Sequence, residues 1–265
     1  RGGVILSLLN QVTTHREIDP DVTMPPVRMN IQGTDGIGKS TFGANAPGSI
    51  FIQAEDGLSF ITVPRFEKAN TWEDLLEQVK TLALEDHPYR TVVLDTTDAA
   101  AKLGEAYVCE KNGWSSAADP KAGYGAFYVA EENAWLNLLN GLNVCFKDRG
   151  MNVILLSHVV NKDYKPPESE GYNRWEMRCN RKINSLIKDW VDFNLFANYE
   201  TTVIKDGSKA RGQSYGNRAL HTKFEASHDA KSRLDLPSKI DFSWQAFADA
   251  YGAALGLPAN NNEAA

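Results

Sequence analysis

An α/β fold with a mainly parallel central sheet flanked by helices is predicted by two patterns. Strand-like and helix-like segments alternate along the chain, and the strand-like runs are short, apolar and closed by polar residues. Residues 27–32 read as a strand, 39–45 as a helix, 49–54 as a strand, 72–84 as a helix and 91–95 as a strand. Thr71 to Asp74 has the form of a capping box, after which Trp72, Leu75, Leu76, Val79 and Leu82 recur at helical spacing. Trp135, Leu138, Leu139 and Leu142 repeat the spacing in a helix over 125–147. Both stripes are core faces. A strand at 152–156, a helix at 182–190, C-terminal strands at 191–199, 201–205 and 218–224, and a last helix at 243–251 complete the order, with Asp206-Gly207 suited to a hairpin turn. Asp19-Pro20 and Pro25-Pro26 break helices, so residues 1–26 are expected to form an N-terminal arm, 27–255 the core and 256–265 a flexible polar tail. One feature departs from the scheme: 27–32 alternates apolar and polar residues, whereas a central parallel strand is usually apolar throughout.

The chain has 265 residues, 42% of them hydrophobic, enough for one sizeable core. No apolar run is long enough to span a bilayer and no leader pattern is visible, so a soluble, intracellular protein without membrane contact is expected. Cys109, Cys145 and Cys179 are widely spaced and unpaired in pattern, which reads as reduced thiols rather than disulfides or a zinc site. A net charge of −6 argues against a generally basic nucleic-acid coat, so that any polynucleotide contact is expected in loops, where local charge differs from the total.

The most specific signal is Gly33-Thr34-Asp35-Gly36-Ile37-Gly38-Lys39-Ser40-Thr41, which fits Gly-x-x-x-x-Gly-Lys-Ser directly after a strand. Backbone N–H groups of such a loop cradle nucleotide phosphates, with the N-terminus of the following helix behind them. Lys39 then reaches the β- and γ-oxygens, and Ser40 ligands Mg²⁺. Asp95 closes an apolar, β-branched strand, the form expected of the carboxylate on the Mg²⁺ side. Glu55 and Asp56 follow the strand between these two, where a carboxylate can polarise the attacking water.

In this arrangement the sequence resembles the RecA-like ATPases, most specifically the small ones of bacteriophages and prophages, over residues 27–251. That resemblance implies a RecA-like P-loop fold, ATP and Mg²⁺ as ligands, and the cytoplasm of a bacterial host if the chain is phage-encoded. It makes Glu55 the catalytic carboxylate, with Asp56 second, and His158 the polar group that registers the γ-phosphate, with Ser157 second. Lys231 and Arg233, in Ala230-Lys231-Ser232-Arg233, match the cations that reach a neighbour's nucleotide, which implies a ring or filament with sites at subunit junctions. Two solvated charges on a turn is the alternative. The loops that line the DNA channel in such proteins correspond to 112–124, with Lys121, and 160–178. The second interleaves Lys162, Tyr164, Lys165, Tyr172, Arg174, Trp175 and Arg178, suited to pairing phosphates and stacking bases, although Asp163, Glu168, Glu170 and Glu176 dilute its charge. The leading expectation is a Mg²⁺-dependent ATPase that binds single-stranded DNA in phage recombination or strand annealing. A helicase or helicase loader, and a non-hydrolysing ATP-gated mediator partnered by a single-strand-binding protein or recombinase, are the alternatives.

Overall fold

In chain order the elements are β1 (Arg28–Gly33), α1 (Lys39–Ala44), β2 (Ser49–Gln53), α2 (Trp72–Leu84), β3 (Thr91–Asp95), α3 (Thr97–Asn112), α4 (Ala126–Lys147), β4 (Asn152–Tyr164), β5 (Tyr172–Met177), α5 (Arg181–Trp190), β6 (Phe193–Asp206), β7 (Lys209–His221), β8 (Lys231–Ser232), β9 (Lys239–Asp241) and α6 (Trp244–Ala254). The computed structural model describes residues 24–123, 125–165, 170–206 and 209–257, with 201–215 by backbone alone. The predicted arm up to residue 23, the tail from 258 and Gly207 of the proposed turn lie outside the described residues. Among the described residues no helix is long and apolar enough to cross a membrane.

The strands form one sheet of order β2-β3-β4-β1-β6-β7-β9, with β5 paired to β4 and β8 to β6. The pairs from β2 through β6 are parallel, while β6 with β7 and β7 with β9 are antiparallel. The mainly parallel α/β sheet predicted from the sequence is therefore present, with C-terminal strands extending one edge. Successive strand residues face opposite layers. Ile50, Ile52, Val92, Leu94, Val153 and Leu155 pack with α2 to α5, whereas Met29, Ile31, Phe51, Val93, Ile154 and Leu156 pack with α1 and α6.

The capping box forms as predicted: Thr71 Oγ1 accepts from Asp74 N and Asp74 accepts from Thr71 N. The α2 and α4 stripes meet at Trp72 and Trp135, ring centroids 5.5 Å apart. Trp135 is wholly buried. Trp135→Ala is expected to cost about 3–5 kcal/mol, read as a lower urea midpoint at unchanged slope.

The alternation in β1 is also explained. Asn30 and Gln32 are buried but bonded: Asn30 Nδ2 donates to Asn194 Oδ1 at 2.7 Å, Ser157 Oγ donates to Asn30 Oδ1 at 2.6 Å, and Gln32 Nε2 donates to the Asp229 carbonyl. Thr97 extends this chain through Ser157 Oγ. A central strand tolerates buried polar residues when each finds partners across the sheet.

Three expectations are corrected. Residues 97–112, given no element in the sequence reading, are helical, ending at Gly113 with φ 66°; the Ala-rich helix lacks a broad apolar stripe to announce it. The loop expected over 160–178 is largely a hairpin arm, since β4 continues to Tyr164 and pairs antiparallel with β5. The strands expected at 191–199 and 201–205 are one strand, irregular between Tyr199 and Thr201, and its partner β7 begins at Lys209 rather than 218.

Candidate active site

Parallel register brings the carboxyl ends of five strands together. Gly33 of β1 lies beside His158 of β4 and Ala197 of β6, while Gln53 of β2 lies beside Asp95 of β3. Such strand ends are where open α/β sheets bind ligands.

The loop from Gly33 to Gly38 turns tightly into α1. Gly36 and Gly38 have φ of 74° and 106°, in the left-handed region that glycine occupies without strain. A Cβ on Gly38 would lie 2.5 Å from Arg218 Nη1, and one on Gly33 would lie 2.7 Å from the Ala197 carbonyl. Lys39 is buried, and its Nζ donates to the Gly33 and Thr34 carbonyls at 3.0 Å. Burial lowers its pKa, opposed by the fields of Asp35, Asp95, Asp98 and Glu55, yet among the described residues no carboxylate lies within ion-pair distance of it. A buried ammonium held only by carbonyls suits a phosphate, so the loop's chemistry fits a nucleotide.

Ser40 Oγ donates to Asp95 Oδ2 at 2.8 Å. Burial raises the Asp95 pKa, the Ser40 hydrogen bond opposes this, and Glu55 adds to the rise. This hydroxyl and carboxylate form the oxygen donor pair that a small hard cation such as Mg²⁺ requires.

His158 ties the remaining groups together. Its Nδ1 lies 3.0 Å from Asp98 Oδ2, its backbone N–H donates to Asp98 Oδ1, and its Nε2 lies 3.0 Å from Asp35 Oδ1 and 4.0 Å from Glu55 Oε1. Burial pushes the Asp98 carboxyl up, but the two hydrogen bonds and the charge of His158 outweigh it and hold Asp98 at about 2. Arg178 joins the same cluster, its guanidinium 3.4 Å from Asp35 and 3.6 Å from Asp98. Glu55, Asp98 and His158 are close enough to share one cation.

The structure thus brings Glu55, His158, Lys39, Ser40 and Asp95 to one place. The second choices lie elsewhere: Asp56 is turned outward to Lys68, and Ser157 belongs to the buried Asn30 network. Lys231 and Arg233 are turned to their own chain. Lys231 Nζ donates to the Lys188 carbonyl, and Arg233 pairs with Asp192 at 3.1 Å while staying half exposed. Both sit where β8 meets the first residues of β6, away from the phosphate-loop end of that strand.

Sequence reasoning missed two participants. Asp98 lies in the first turn of the helix it did not anticipate. Arg218 Nη1 donates to the Ile37 carbonyl at 2.8 Å, with its guanidinium over Phe242. Nothing local in the sequence marks Arg218, because the contact reaches across β6 between residues 181 positions apart in the chain.

The expected nucleic-acid residues divide. Lys165 is exposed, Tyr164 and Tyr172 pack together on the arm with centroids 5.4 Å apart, and Lys162 pairs with Glu176. Arg174 is buried between Tyr164 and Phe224 and faces Asp229, and Trp175 packs on Phe196. Arg178 is at the phosphate loop instead, and Lys121 lies on a separate exposed turn, Pro120–Ala122. Beneath the arm a cavity of about 570 Å³ is lined by the cations Lys162, Arg174, Arg181 and Lys188 against the carboxylates Glu176 and Asp229. The local balance is positive in a chain whose net charge is −6.

A family model described as an AAA domain, AAA_24, matches residues 25–234. The "SPbeta prophage-derived uncharacterized protein YorG" of Bacillus subtilis (strain 168) is 29% identical over 87 residues, 31% of this chain and 27% of that protein, so the match spans about a quarter of the relative's length. The crystal structure of the RadB recombinase aligns over 84% of this chain and 90% of that one, at 12% identity and a TM-score of 0.45.

Proposed function

Because the chain belongs to the AAA domain family AAA_24, we propose that it is a Mg²⁺-dependent ATP hydrolase that binds single-stranded DNA in phage recombination or strand annealing. The hydrolase reading rests on the convergence of Lys39, the Ser40–Asp95 pair, Glu55 and His158 at the strand ends. Ser40 and Asp95 would hold Mg²⁺, which when bound would neutralise charge at the phosphates. Lys39 binds the phosphate oxygens in place of the loop carbonyls. Glu55 accepts a hydrogen bond from the attacking water, and His158, fixed by Asp98, positions that carboxylate. Arg218 holds the loop through Ile37.

The DNA reading rests on one observation: both strands of the hairpin arm start from the phosphate site. His158 leads in β4 to Lys162 and Tyr164, and Arg178 follows β5, with Arg178 N donating to the His158 carbonyl at 2.9 Å. A γ-phosphate that draws His158 or Arg178 away from Asp35 moves the base of the arm, which links nucleotide state to the basic groove. Groove cations with the exposed Tyr164 and half-buried Tyr172 suit backbone pairing and stacking rather than base-specific contacts, so binding without sequence preference is expected. Self-assembly is part of the same reading: Arg233, half exposed beside Asp192, is the cation available to a neighbour's nucleotide, whereas Lys231 is committed to its own chain. The prophage origin of the relative supports a phage setting.

Fluorescence anisotropy of a labelled oligonucleotide across a salt series, with and without Mg-ATP, tests the DNA assignment. Affinity should fall with salt, and Lys165→Ala should reduce the slope of log affinity against log salt by about 1. A salt-independent interaction, unchanged in this variant, would contradict the assignment.

A further inference from the structure

A second cluster of ligating side chains lies across the sheet edge from the nucleotide site: His221 at the end of β7, then Glu225 and His228. One donor atom from each lies within 4.8 Å of the others. The backbone builds this. Glu225 and His228 form an antiparallel bridge, each N–H donating to the other's carbonyl at 3.2 Å, so their side chains leave the same face of a tight turn. His221 and His228 then meet with ring centroids 4.6 Å apart over Phe196.

The ring nitrogens are what packing leaves unexplained. His228 is 2% exposed, and its Nε2 has no hydrogen-bond partner; neither has the buried Nδ1 of His221. The Lys223 backbone approaches the His228 ring without forming a bond at Nε2. Stacking on Phe196 satisfies ring faces but not in-plane lone pairs, and buried polar atoms ordinarily find partners. The other His228 nitrogen, Nδ1, is 3.0 Å from Ser227 Oγ, the kind of outer contact that orients a ligating imidazole.

We propose that His221, Glu225 and His228 bind one divalent transition ion of the zinc class, with a fourth position left to water. Two imidazoles and one carboxylate are a familiar donor set for this ion, whereas the sequence, read from its cysteines, led to the expectation of no zinc site. Zinc bonds of about 2.0–2.1 Å need donors roughly 3.3 Å apart, so the cluster must close by up to about 1.5 Å. The exposed Glu225 side chain has room for that. The nearby Arg174 is already opposed by Asp229. An ion here pins the turn whose Ser227 carbonyl accepts from Trp175 N at 2.8 Å, and so braces β5 at the base of the arm.

The test uses the full chain, free of any histidine tag, stripped with chelator and titrated with Co²⁺ and Zn²⁺ under excess Mg²⁺. Co²⁺ absorption bands and competition with a chromophoric chelator report occupancy. One equivalent per chain at micromolar affinity or better is expected. Glu225→Gln and His221→Asn should each weaken it at least tenfold, while His158→Asn, which disrupts the other cluster among the described residues able to share a cation, should leave it unchanged. No binding at about 100 μM metal, equal affinity in the Glu225→Gln and His221→Asn variants, or loss on His158→Asn alone would overturn the assignment. ATP turnover is not the readout, so this site and the hydrolase reading fail independently.

Discussion

Lys39→Ala is expected to weaken Mg-ATP binding by at least 30-fold, about 2 kcal/mol, while the fold stays intact. The ammonium is buried and, among the described residues, is bonded to two loop carbonyls and to no carboxylate, an arrangement that leaves room for a phosphate as its direct counter-ion. Truncating one member of a buried, hydrogen-bonded charge pair costs about 2–5 kcal/mol of binding, much of it from the partner left unpaired. The stability consequence has the opposite sign. In the free protein Lys39 is a desolvated cation whose lowered pKa reports that burial disfavours its charge. Alanine removes that burden, so the urea midpoint without nucleotide should stay level or rise. Isothermal titration with Mg-ATP together with urea unfolding checks both halves. Tight Mg-dependent binding in the variant would remove the phosphate-loop assignment.

Glu55→Gln is expected to separate binding from chemistry. Glu55 follows β2 at the strand ends, 4.0 Å from His158, and among the described residues it makes no hydrogen bond to Ser40 or Asp95 and reaches Asp95 only through its field, so it contributes little to holding phosphates. Glutamine retains its size and most of its hydrogen bonding but cannot accept the water's proton. Loss of a general base costs about 10²–10⁴-fold in rate, and here the loss should appear in kcat with nucleotide affinity within a few-fold of wild type. Asp56, salt-bridged to Lys68 and exposed, cannot take over the role from where it stands.

How much of this was legible in the sequence differs by element and for physical reasons. The phosphate loop and Asp95 were readable because their chemistry is written in contiguous residues, glycine for the turn and a β-branched run ending in a carboxylate. The α2 and α4 faces were readable because burial of one helix side imposes the spacing of Trp72 and Trp135. The arm was misread as a loop, although Val159 to Tyr164 and Tyr172 to Met177 pair residue for residue as strands do. Its cations were also sorted by packing that no local pattern encodes. Arg174 went inward between Tyr164 and Phe224, and Arg178 went to Asp35 and Asp98. Asp98, Arg218 and the His221–Glu225–His228 cluster depend on contacts between distant strands or on a tight turn, which a one-dimensional reading does not assemble. The polar residues of β1 looked like an argument against a central strand until Asn194, Ser157 and Asp229 supplied their partners.

The central claim, that Lys39, Ser40, Asp95, Glu55 and His158 form one ATP-hydrolysing site, is tested most directly by single-turnover hydrolysis at saturating protein. Wild type and Glu55→Gln would be compared with Mg²⁺ and with chelator, alongside the equilibrium affinity of each for Mg-ATP. The account predicts Mg-dependent phosphate release by wild type and, in Glu55→Gln, release slowed at least 10²-fold at nearly unchanged affinity. Equal rates in the two proteins, or no hydrolysis by wild type despite tight Mg-ATP binding, would contradict it.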